Sequence, residues 1–203
     1  MKIPSLARVV RGVCWRLIRR AQFVVFSAPA NALGMAELSV LRVNRLSSVE
    51  LLERSEEAMH AAGEPAGLTA ARFARGDEFF GVQQGEYTAS FGWVTYRERA
   101  IHGVRLKDTP GRVFLYHFHT LAAYRGRRLY PGLLVVIRQH LGREGVAEFI
   151  IDVDARNEAS IRGVGRAGFT AVGRLDFLVF FNHGYRLWSL SVDAGVPDGL
   201  FLQ

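Results

Sequence analysis

The sequence predicts an α+β fold in which helices flank a mixed, mainly antiparallel sheet. The first observation is the order of the predicted elements: strand, two helices, three strands, helix, strand, helix and two strands. The second is that two of these strands are joined by a short turn, which makes them antiparallel neighbours. Hydrophobic residues make up 49% and charged residues 22% of the 203-residue chain, as in an ordinary globular domain.

The first 36 residues are predicted to form a basic amphipathic extension, and residues 37–203 the main domain. Residues 1–20 contain six lysines and arginines and no acid, mixed with apolar side chains. They fit a helix that packs on this domain or on a second subunit of a homodimer, and they also fit a surface for anionic lipid or an acidic protein. Residues 23–26, FVVF, are a short strand candidate, and the Pro, Asn and Gly residues that follow mark a boundary near residue 36.

Charge and cysteine usage narrow the class of protein. Outside residues 1–20 the chain holds 20 bases against 19 acids, so a nucleic-acid-binding face is not predicted. No apolar run reaches the roughly 20 residues that cross a bilayer, and arginines interrupt every candidate signal sequence. Cys14 is the only cysteine, which excludes an internal disulfide and favours a cytoplasmic protein, with or without peripheral membrane contact.

The first half of the main domain is predicted to contain one strand, two helices and a hairpin. Residues 37–46 alternate as a strand, and the next stretch begins with serines and keeps helical spacing as far as Gly63. A shorter helix is expected at residues 67–75. Residues 77–99 predict two strands joined by a turn at residues 84–86.

The second half is predicted to alternate strands with helices. A polar loop leads to residues 112–121, which are rich in aromatic and branched side chains and are expected to form a central strand. A helix follows from Pro131, where the missing N–H costs little. The remaining predicted elements are a strand at residues 147–153, a helix from Asn157 to Ala167, and strands within residues 169–181 and 185–192.

Arginines crowd the start of the helix at Pro131, in the stretch YRGRRLYPGLL of residues 124–134. Backbone N–H groups in the first turn of a helix have no partner within the helix, and the macrodipole adds partial positive charge there. Phosphates bind such sites, and Arg125, Arg127 and Arg128 add charge and forked hydrogen-bond donors. The stretch therefore predicts a site for a phosphorylated ligand.

Two stretches, in order and on the expected elements, resemble motifs of the GNAT superfamily of acyl-CoA-dependent N-acyltransferases. Residues 125–130 occupy the family's Arg/Gln-x-x-Gly-x-Gly/Ala positions. Residues 157–169, NEASIRGVGRAGF, are similar to the family's later motif, which begins Asn-x-x-Ala/Ser and ends in Gly-Phe. Gly92 resembles a glycine of the family's third strand, and the resemblance covers about residues 37–190.

The resemblance implies a V-shaped gap between the strands at residues 112–121 and 147–153, into which acyl-CoA inserts. The residues that it implies are Thr120 and Leu121 for the pantetheine arm, the amides of Arg125, Gly126, Arg127, Arg128, Leu129 and Tyr130 for the pyrophosphate, and Asn157 and Ser160 on the far side of the cofactor. Asn157 also fits a plain helix cap, and both roles can hold at once.

The resemblance implies that an amine attacks the acyl-CoA thioester and that a base removes its proton. Three side chains of the predicted strand at residues 112–121 are candidates for this base: Tyr116, His117 and His119. Strand alternation gives the two histidines one face and Tyr116 the other, but a bulge near Thr120 would exchange the faces, so all three stay candidates. Each also fits a structural role in the core. A metal site is not predicted, because His117 and His119 lack a third ligand.

The resemblance implies an N-acyltransferase that moves an acetyl or other acyl group from acyl-CoA, with acetyl-CoA as the expected co-substrate, to a primary amine of a small molecule. The stretch RGRRLYPGLL is similar to bacterial family members linked to cell-surface sugar synthesis, which favours an amino sugar. One alternative is a CoA-binding module without turnover, because Arg128 and Tyr130 replace small residues and Val164 stands where the family often has a tyrosine that protonates the thiolate. Another is an acyltransferase with a longer acyl donor that residues 1–20 bring to a membrane or to an acyl carrier protein.

Overall fold

The computed structural model describes residues 18–30, 38–44, 47–101, 104–107, 109–180 and 183–186. Within them the strands are β1 (Ile18–Pro29), β2 (Val40–Val43), β3 (Glu78–Gln84), β4 (Tyr87–Thr95), β5 (Arg99–Ile101), β6 (Val104–Leu106), β7 (Arg112–Thr120), β8 (Glu148–Asp154), β9 (Thr170–Phe180) and β10 (His183–Arg186). The helices are α1 (Val49–Ala61), α2 (Leu68–Ala74), α3 (Leu129–Arg143) and α4 (Glu158–Arg166), and a 3₁₀ turn, Ala122–Tyr124, lies between β7 and α3.

Eight of the described strands form one sheet in the order β10-β9-β1-β8-β7-β4-β3-β2, and β5 pairs separately with β6. All neighbours in the large sheet are antiparallel except β7 and β8, which are parallel. The predicted hairpin is present: β3 and β4 close at the pair Gln84 and Tyr87, with Gly85 at a positive φ of 63° in the turn. The predicted α+β class with a mainly antiparallel sheet is confirmed.

Strand β1 lies inside the sheet, hydrogen-bonded to β8 on one side and to β9 on the other. From the sequence, only residues 23–26 are predicted as a strand, in an extension that ends near residue 36. An interior position in the sheet suits the apolar side chains of β1, because Val25 and Phe26 are buried there. The expected division at residue 36 therefore does not separate β1 from the sheet, and residues 1–17 lie outside the described residues.

Helices cover both faces of the sheet, and adjacent residues of one strand supply both cores. In β3, Phe79 and Phe80 are both buried, but they belong to different clusters. Phe80 lies in the cluster that contains Leu133 of α3, and Phe79 lies in the cluster that contains Met59 of α1. The pair α3 and α4 thus covers one face, and α1 and α2 the other.

A buried arginine ties α3 to two other elements. Arg138 donates from Nε and Nη2 to the carbonyl oxygen of Pro29, at 3.1 and 2.6 Å, and from Nη1 to that of Ala167, at 2.6 Å. Its guanidinium carbon lies 5.2 Å from the centre of the Phe169 ring. The side chain therefore joins α3 to the end of β1 and to the end of α4.

Two short strands differ from the sequence-based expectation. Residues 104–106, expected in a polar loop, form β6, because Leu106 is fully buried against Phe114 and Ile150. The last strand, expected at residues 185–192, is represented by β10, and the part of it after Arg186 lies outside the described residues.

Candidate functional site

The two parallel strands β7 and β8 separate partway along their length. They pair from Arg112 with Glu148 through Leu115 with Ile151. In the described residues β7 then continues to Thr120 and β8 to Asp154 without pairing to each other. The V-shaped gap implied by the family resemblance is therefore present at the ends of these strands.

A β-bulge in β7 sets the direction of the side chains beside the gap. Tyr116 pairs with Trp93 and His119 with Phe91, so His117 and Phe118 both lie opposite the single residue between them, Gly92. His117 has a positive φ of 54°. The absence of a side chain at Gly92 makes room for Phe118, since a Cβ built there would lie 2.2 Å from its ring.

The bulge brings all three candidate bases to the face that α1 and α2 cover. The ring of Phe91 lies 6.3 Å from that of His117 and 5.8 Å from that of His119, and Tyr116 packs against the same cluster. Phe118 contacts the other face, where its ring lies 5.4 Å from that of Tyr130. From the sequence, a bulge near Thr120 was considered only as a way to exchange the faces; the bulge in the structure lies earlier, at His117 and Phe118.

A cavity of about 530 Å³ lies where the end of β7, the start of α3 and the first turns of α4 meet. Nine of the residues proposed from the sequence line it: His119, Thr120, Arg125, Gly126, Arg128, Leu129, Tyr130, Asn157 and Ser160. Arg127 instead lines a neighbouring cavity of about 570 Å³, which shares Arg128, Pro131 and Arg166 with the first. Leu121 lines neither, and its N–H and C=O are bonded to Ala89 and Tyr124.

The start of α3 offers unpaired donors to this cavity. The first helical hydrogen bond runs from the Gly132 N–H to the Arg128 carbonyl, so the N–H groups of Leu129 and Tyr130 have no partner within the helix. Arg128, the residue before the helix, has a positive φ of 58°, a conformation that glycine adopts more easily. That is one of the positions at which the family prefers a small residue.

The arginines around the cavity leave a net positive charge. Among the described residues, no carboxylate lies within ion-pair distance of Arg125, Arg127, Arg128 or Arg166. The Nε of Arg125 donates to the Thr120 carbonyl at 3.2 Å. An anion in this cavity would therefore meet free backbone donors and uncompensated cations together.

Tyr130 narrows the cavity beside these donors. Its ring packs against Gly163 of α4, where a Cβ would lie 2.7 Å from the ring. Burial raises the pKa of the Tyr130 hydroxyl, and a hydrogen bond with Ser160 opposes this shift. Gly163 of α4 therefore makes room for the Tyr130 ring of α3. Because the two residues lie in different motifs, neither motif alone predicts this contact.

Asn157 caps α4. Its Oδ1 accepts the backbone N–H of Ser160 at 3.0 Å, which satisfies one of the free donors of the first turn. Both residues also line the cavity. The capping role is therefore seen directly, in a residue that also borders the cavity.

Tyr116 is held as a hydrogen-bond donor. Its hydroxyl donates to Oδ2 of the buried Asp77 at 2.6 Å, and the same oxygen accepts Arg75 Nη2 at 2.8 Å. Burial first, and then Asp77, raise the pKa of Tyr116. A hydroxyl that stays protonated and already donates to a carboxylate is poorly suited to accept a proton from an amine.

The two histidines are instead kept neutral. Burial first, and then Arg72, lower the pKa of His117, although its Nε2 lies 3.0 Å from Oε1 of Glu64. Burial first, and then Arg125, lower the pKa of His119. Both imidazoles can therefore accept a proton near neutral pH, and His119 is the one that lines the cavity.

Several charged residues around the gap have no motif that marks them. Glu64 and Asp77 come from loops beside α1 and α2, and Arg72 comes from α2 itself. Arg99 of β5 donates from Nε to Oδ1 of Asp152 at 2.7 Å, and its guanidinium carbon lies 4.9 Å from the ring of Tyr116. Only the fold brings these distant positions together, so no local signal could have identified them.

The described residues contain no group of three or more His, Cys, Asp or Glu side chains that could hold a metal ion. None of the helices in this part of the chain is long and apolar enough to span a bilayer.

The sequence matches no protein-family model, and no match to a curated protein is found. Solved structures do match. An acetyltransferase of the GNAT family from Colwellia psychrerythraea is 14% identical with a TM-score of 0.58, over 84% of this chain and 60% of the other. A GCN5-related N-acetyltransferase from Sphaerobacter thermophilus is 16% identical with a TM-score of 0.53, over 90% and 59%.

A third match is AAC(6′)-Iy in complex with the bisubstrate analog CoA-S-monomethyl-acetylneamine, which is 18% identical with a TM-score of 0.52, over 66% of this chain and 92% of the other. The chain spans less than two thirds of the length of the first structures that it matches. At these identities the likeness concerns the fold. The parted strands, the motifs and these matches together identify the chain as a divergent protein with the GNAT fold.

Proposed function

We propose that the protein is an acyltransferase that moves an acyl group from acyl-CoA to a primary amine of a small molecule. One observation carries the proposal: a single cavity at the end of β7, beyond its last pair with β8, is lined by the first residues of α3, with their free amides, and by His119. An acyl-CoA whose diphosphate binds at these amides would therefore direct its thioester toward the neutral imidazole of His119.

The proposed donor site uses the residues that line the cavity. The diphosphate binds the N–H groups of Leu129 and Tyr130, with Arg125 and Arg128 as counter-charges. The pantetheine arm runs past Thr120, and Asn157 and Ser160 bound the opposite side. Leu121 is left out of this site, because its main-chain groups are already bonded within the chain.

The proposed chemistry is direct transfer. The amine nitrogen attacks the thioester carbon, the C–S bond breaks, the CoA sulfur leaves as a thiolate, and the ammonium proton passes to a base. Holding both reactants in one gap supplies up to roughly 7–11 kcal/mol, and general-base catalysis adds roughly 10²–10⁴ in rate. Val164 is fully buried and offers no acid, so the thiolate takes its proton from solvent or from the imidazolium.

His119 is the proposed base, because it is neutral and borders the cavity. His117 lies beside it and is oriented by Glu64. Tyr116 is proposed to support the strand through Asp77 rather than to take part in proton transfer. We expect His119→Gln to lower kcat/KM by roughly 10²–10⁴ while CoA affinity stays within about twofold.

Acetyl-CoA is the proposed donor, and an amino sugar is the proposed acceptor because of the similarity of RGRRLYPGLL to members linked to cell-surface sugars. A CoA-binding module without turnover is the second candidate. It is favoured by the Tyr130 ring beside the amides of α3 and by the buried Val164.

Calorimetric titration with acetyl-CoA, followed by a thiol-release assay with a panel of amines, tests both candidates. Saturable binding that is lost in an Arg125→Gln, Arg128→Gln double variant, together with acylated product by mass spectrometry, supports the enzyme. Arg54→Gln, an exposed arginine of α1, is the control. Binding without product supports the module, and no saturable binding removes both.

A further inference from the structure

Tyr130 brings a hydroxyl group to the cavity of the candidate site. It is the second residue of α3, and it lines the cavity together with Ser160 of α4. Its ring lies 5.4 Å from that of Phe118 and packs against Gly163, where a Cβ would lie 2.7 Å from it. The side chain is therefore held between β7 and α4, and contacts on both sides fix the direction of its hydroxyl.

The hydroxyl lies close to the point where β7 and β8 part. Burial first, and then the charge of Asp152, raise the pKa of Tyr130. A charge has such an effect only on a group near it. Asp152 is the first residue of β8 beyond its last pair with β7, which joins Leu115 to Ile151. Tyr130 therefore extends from the start of α3 toward the space between the parted strands, where the proposed reaction places the thioester.

The Tyr130 hydroxyl is suited to donate a hydrogen bond. Because its pKa is raised, the phenol keeps its proton over the physiological range. The hydrogen bond with Ser160 opposes this rise, as a bond donated by the serine to the phenol oxygen does. In that arrangement Ser160 orients the phenol oxygen and leaves the phenolic O–H to donate to a molecule in the cavity.

The proposed acyl transfer creates a negative charge that needs such a donor. When the C–S bond breaks, its electron pair goes to the CoA sulfur. A hydrogen bond to this sulfur strengthens as the charge develops, so it stabilises the transition state more than the bound thioester. Val164 of α4 is fully buried and apolar, so it has no donor to offer. Tyr130, which packs on the adjacent Gly163, supplies a donor here from α3.

We propose that the Tyr130 hydroxyl donates a hydrogen bond to the sulfur of acyl-CoA and stabilises the thiolate as the C–S bond breaks. The hydroxyl keeps its own proton, and the thiolate is protonated afterwards by solvent or by the imidazolium. The inference rests on the proposed acyl transfer, because it concerns the leaving group of the same reaction. Tyr130 is then a catalytic residue, and its ring narrows the cavity without preventing turnover.

The ionisation of the thiol in protein-bound CoA tests this hydrogen bond without any acceptor. Ultraviolet difference spectra between CoA-bound and ligand-free protein follow the thiolate as the pH rises from about 6 to about 9. Tyr130→Phe keeps the ring and removes only the hydroxyl, so we expect it to fold and to bind CoA within about twofold of wild type. We expect the pKa of the bound thiol to be about 1–2 pH units higher in this variant, as the loss of one hydrogen bond to a charged group allows.

The rate of acyl transfer should depend on the same hydroxyl. With an amine accepted in the thiol-release assay, we expect Tyr130→Phe to lower kcat and kcat/KM roughly 10- to 100-fold, while KM for acyl-CoA changes little. Tyr87→Phe is the matched control, because this tyrosine of the β3–β4 hairpin is 65% exposed and lines no part of the cavity. It should equal wild type in both measurements.

Equal pKa values of the bound thiol in wild type and Tyr130→Phe overturn the inference, and so do equal kcat values. Absence of saturable CoA binding by wild-type protein overturns the proposed function instead. A higher thiol pKa in Tyr130→Phe, without acylated product from any amine in wild type, supports the hydrogen bond and contradicts the proposed transfer. The two failures are therefore distinguishable.

Discussion

At His117 and His119, the lowered pKa values link the candidate site to the stability of the fold. Both imidazoles have a pKa below the ordinary value of 6.5, so the unfolded chain binds these protons at a higher pH than the folded protein does. The contribution of these two neutral imidazoles to the free energy of unfolding is therefore full above about pH 6.5 and decreases as the pH falls. We expect Tm to drop between about pH 7 and about pH 5, and to drop less in a His117→Gln, His119→Gln double variant. Equal drops in the two proteins would show that these histidines do not contribute.

Gly92 permits the bulge that gives the site its geometry. Because a Cβ at this position would overlap the Phe118 ring at 2.2 Å, we expect Gly92→Ala to lower the free energy of unfolding by about 1–3 kcal/mol. Gly165→Ala is the matched control, since a Cβ there meets nothing within 4 Å in an exposed part of α4 and should stabilise the helix by up to about 1 kcal/mol. Urea denaturation measures both, and equal effects would contradict the steric argument.

Among the elements, α3 depends on Arg138 for its attachment to β1 and α4. Arg138→Met removes the donors to the carbonyls of Pro29 and Ala167, and it leaves the carbonyl of the buried Ala167 without this donor. We expect a loss of about 2–4 kcal/mol in the free energy of unfolding. Arg143→Met, in the exposed last turn of the same helix, should cost less than about 1 kcal/mol. A loss below about 1 kcal/mol in Arg138→Met would mean that the buried bonds contribute little.

Elements whose signals are local could be predicted from the sequence, and those fixed by distant partners could not. Pro131 and Asn157 mark the starts of α3 and α4 closely, because a first-turn proline and a side-chain cap act within one turn. The central place of β1 depends on pairing with β8 and β9, which no pattern within residues 18–29 encodes. The same holds for the candidate site. Arg125 could be predicted because it lies in a contiguous motif, whereas the contact of Glu64 with His117 could not, because only the fold brings the two residues together.

For the whole molecule, the excess positive charge near the N-terminus leads to a test of membrane contact. We propose that residues 1–20 bind anionic lipid. Because β1 begins at Ile18, a variant that lacks residues 1–17 keeps every described strand and loses four cations. We expect the full chain, but not this variant, to sediment with phosphatidylserine vesicles, and the effect to weaken as salt is raised. Equal sedimentation of both proteins would contradict the proposal.

The place of β1 also has a consequence for biosynthesis. Phe23 pairs with Asp154, 131 residues later, and Ile18 pairs with Phe180, so β1, the earliest of the described strands, cannot pair until β8 and β9 have been synthesised. Contacts this distant in sequence slow folding and leave apolar strands exposed meanwhile. A chain terminated before β9 would retain Val25 and Phe26 without a neighbour on one side, and we expect it to aggregate rather than to yield a smaller folded protein.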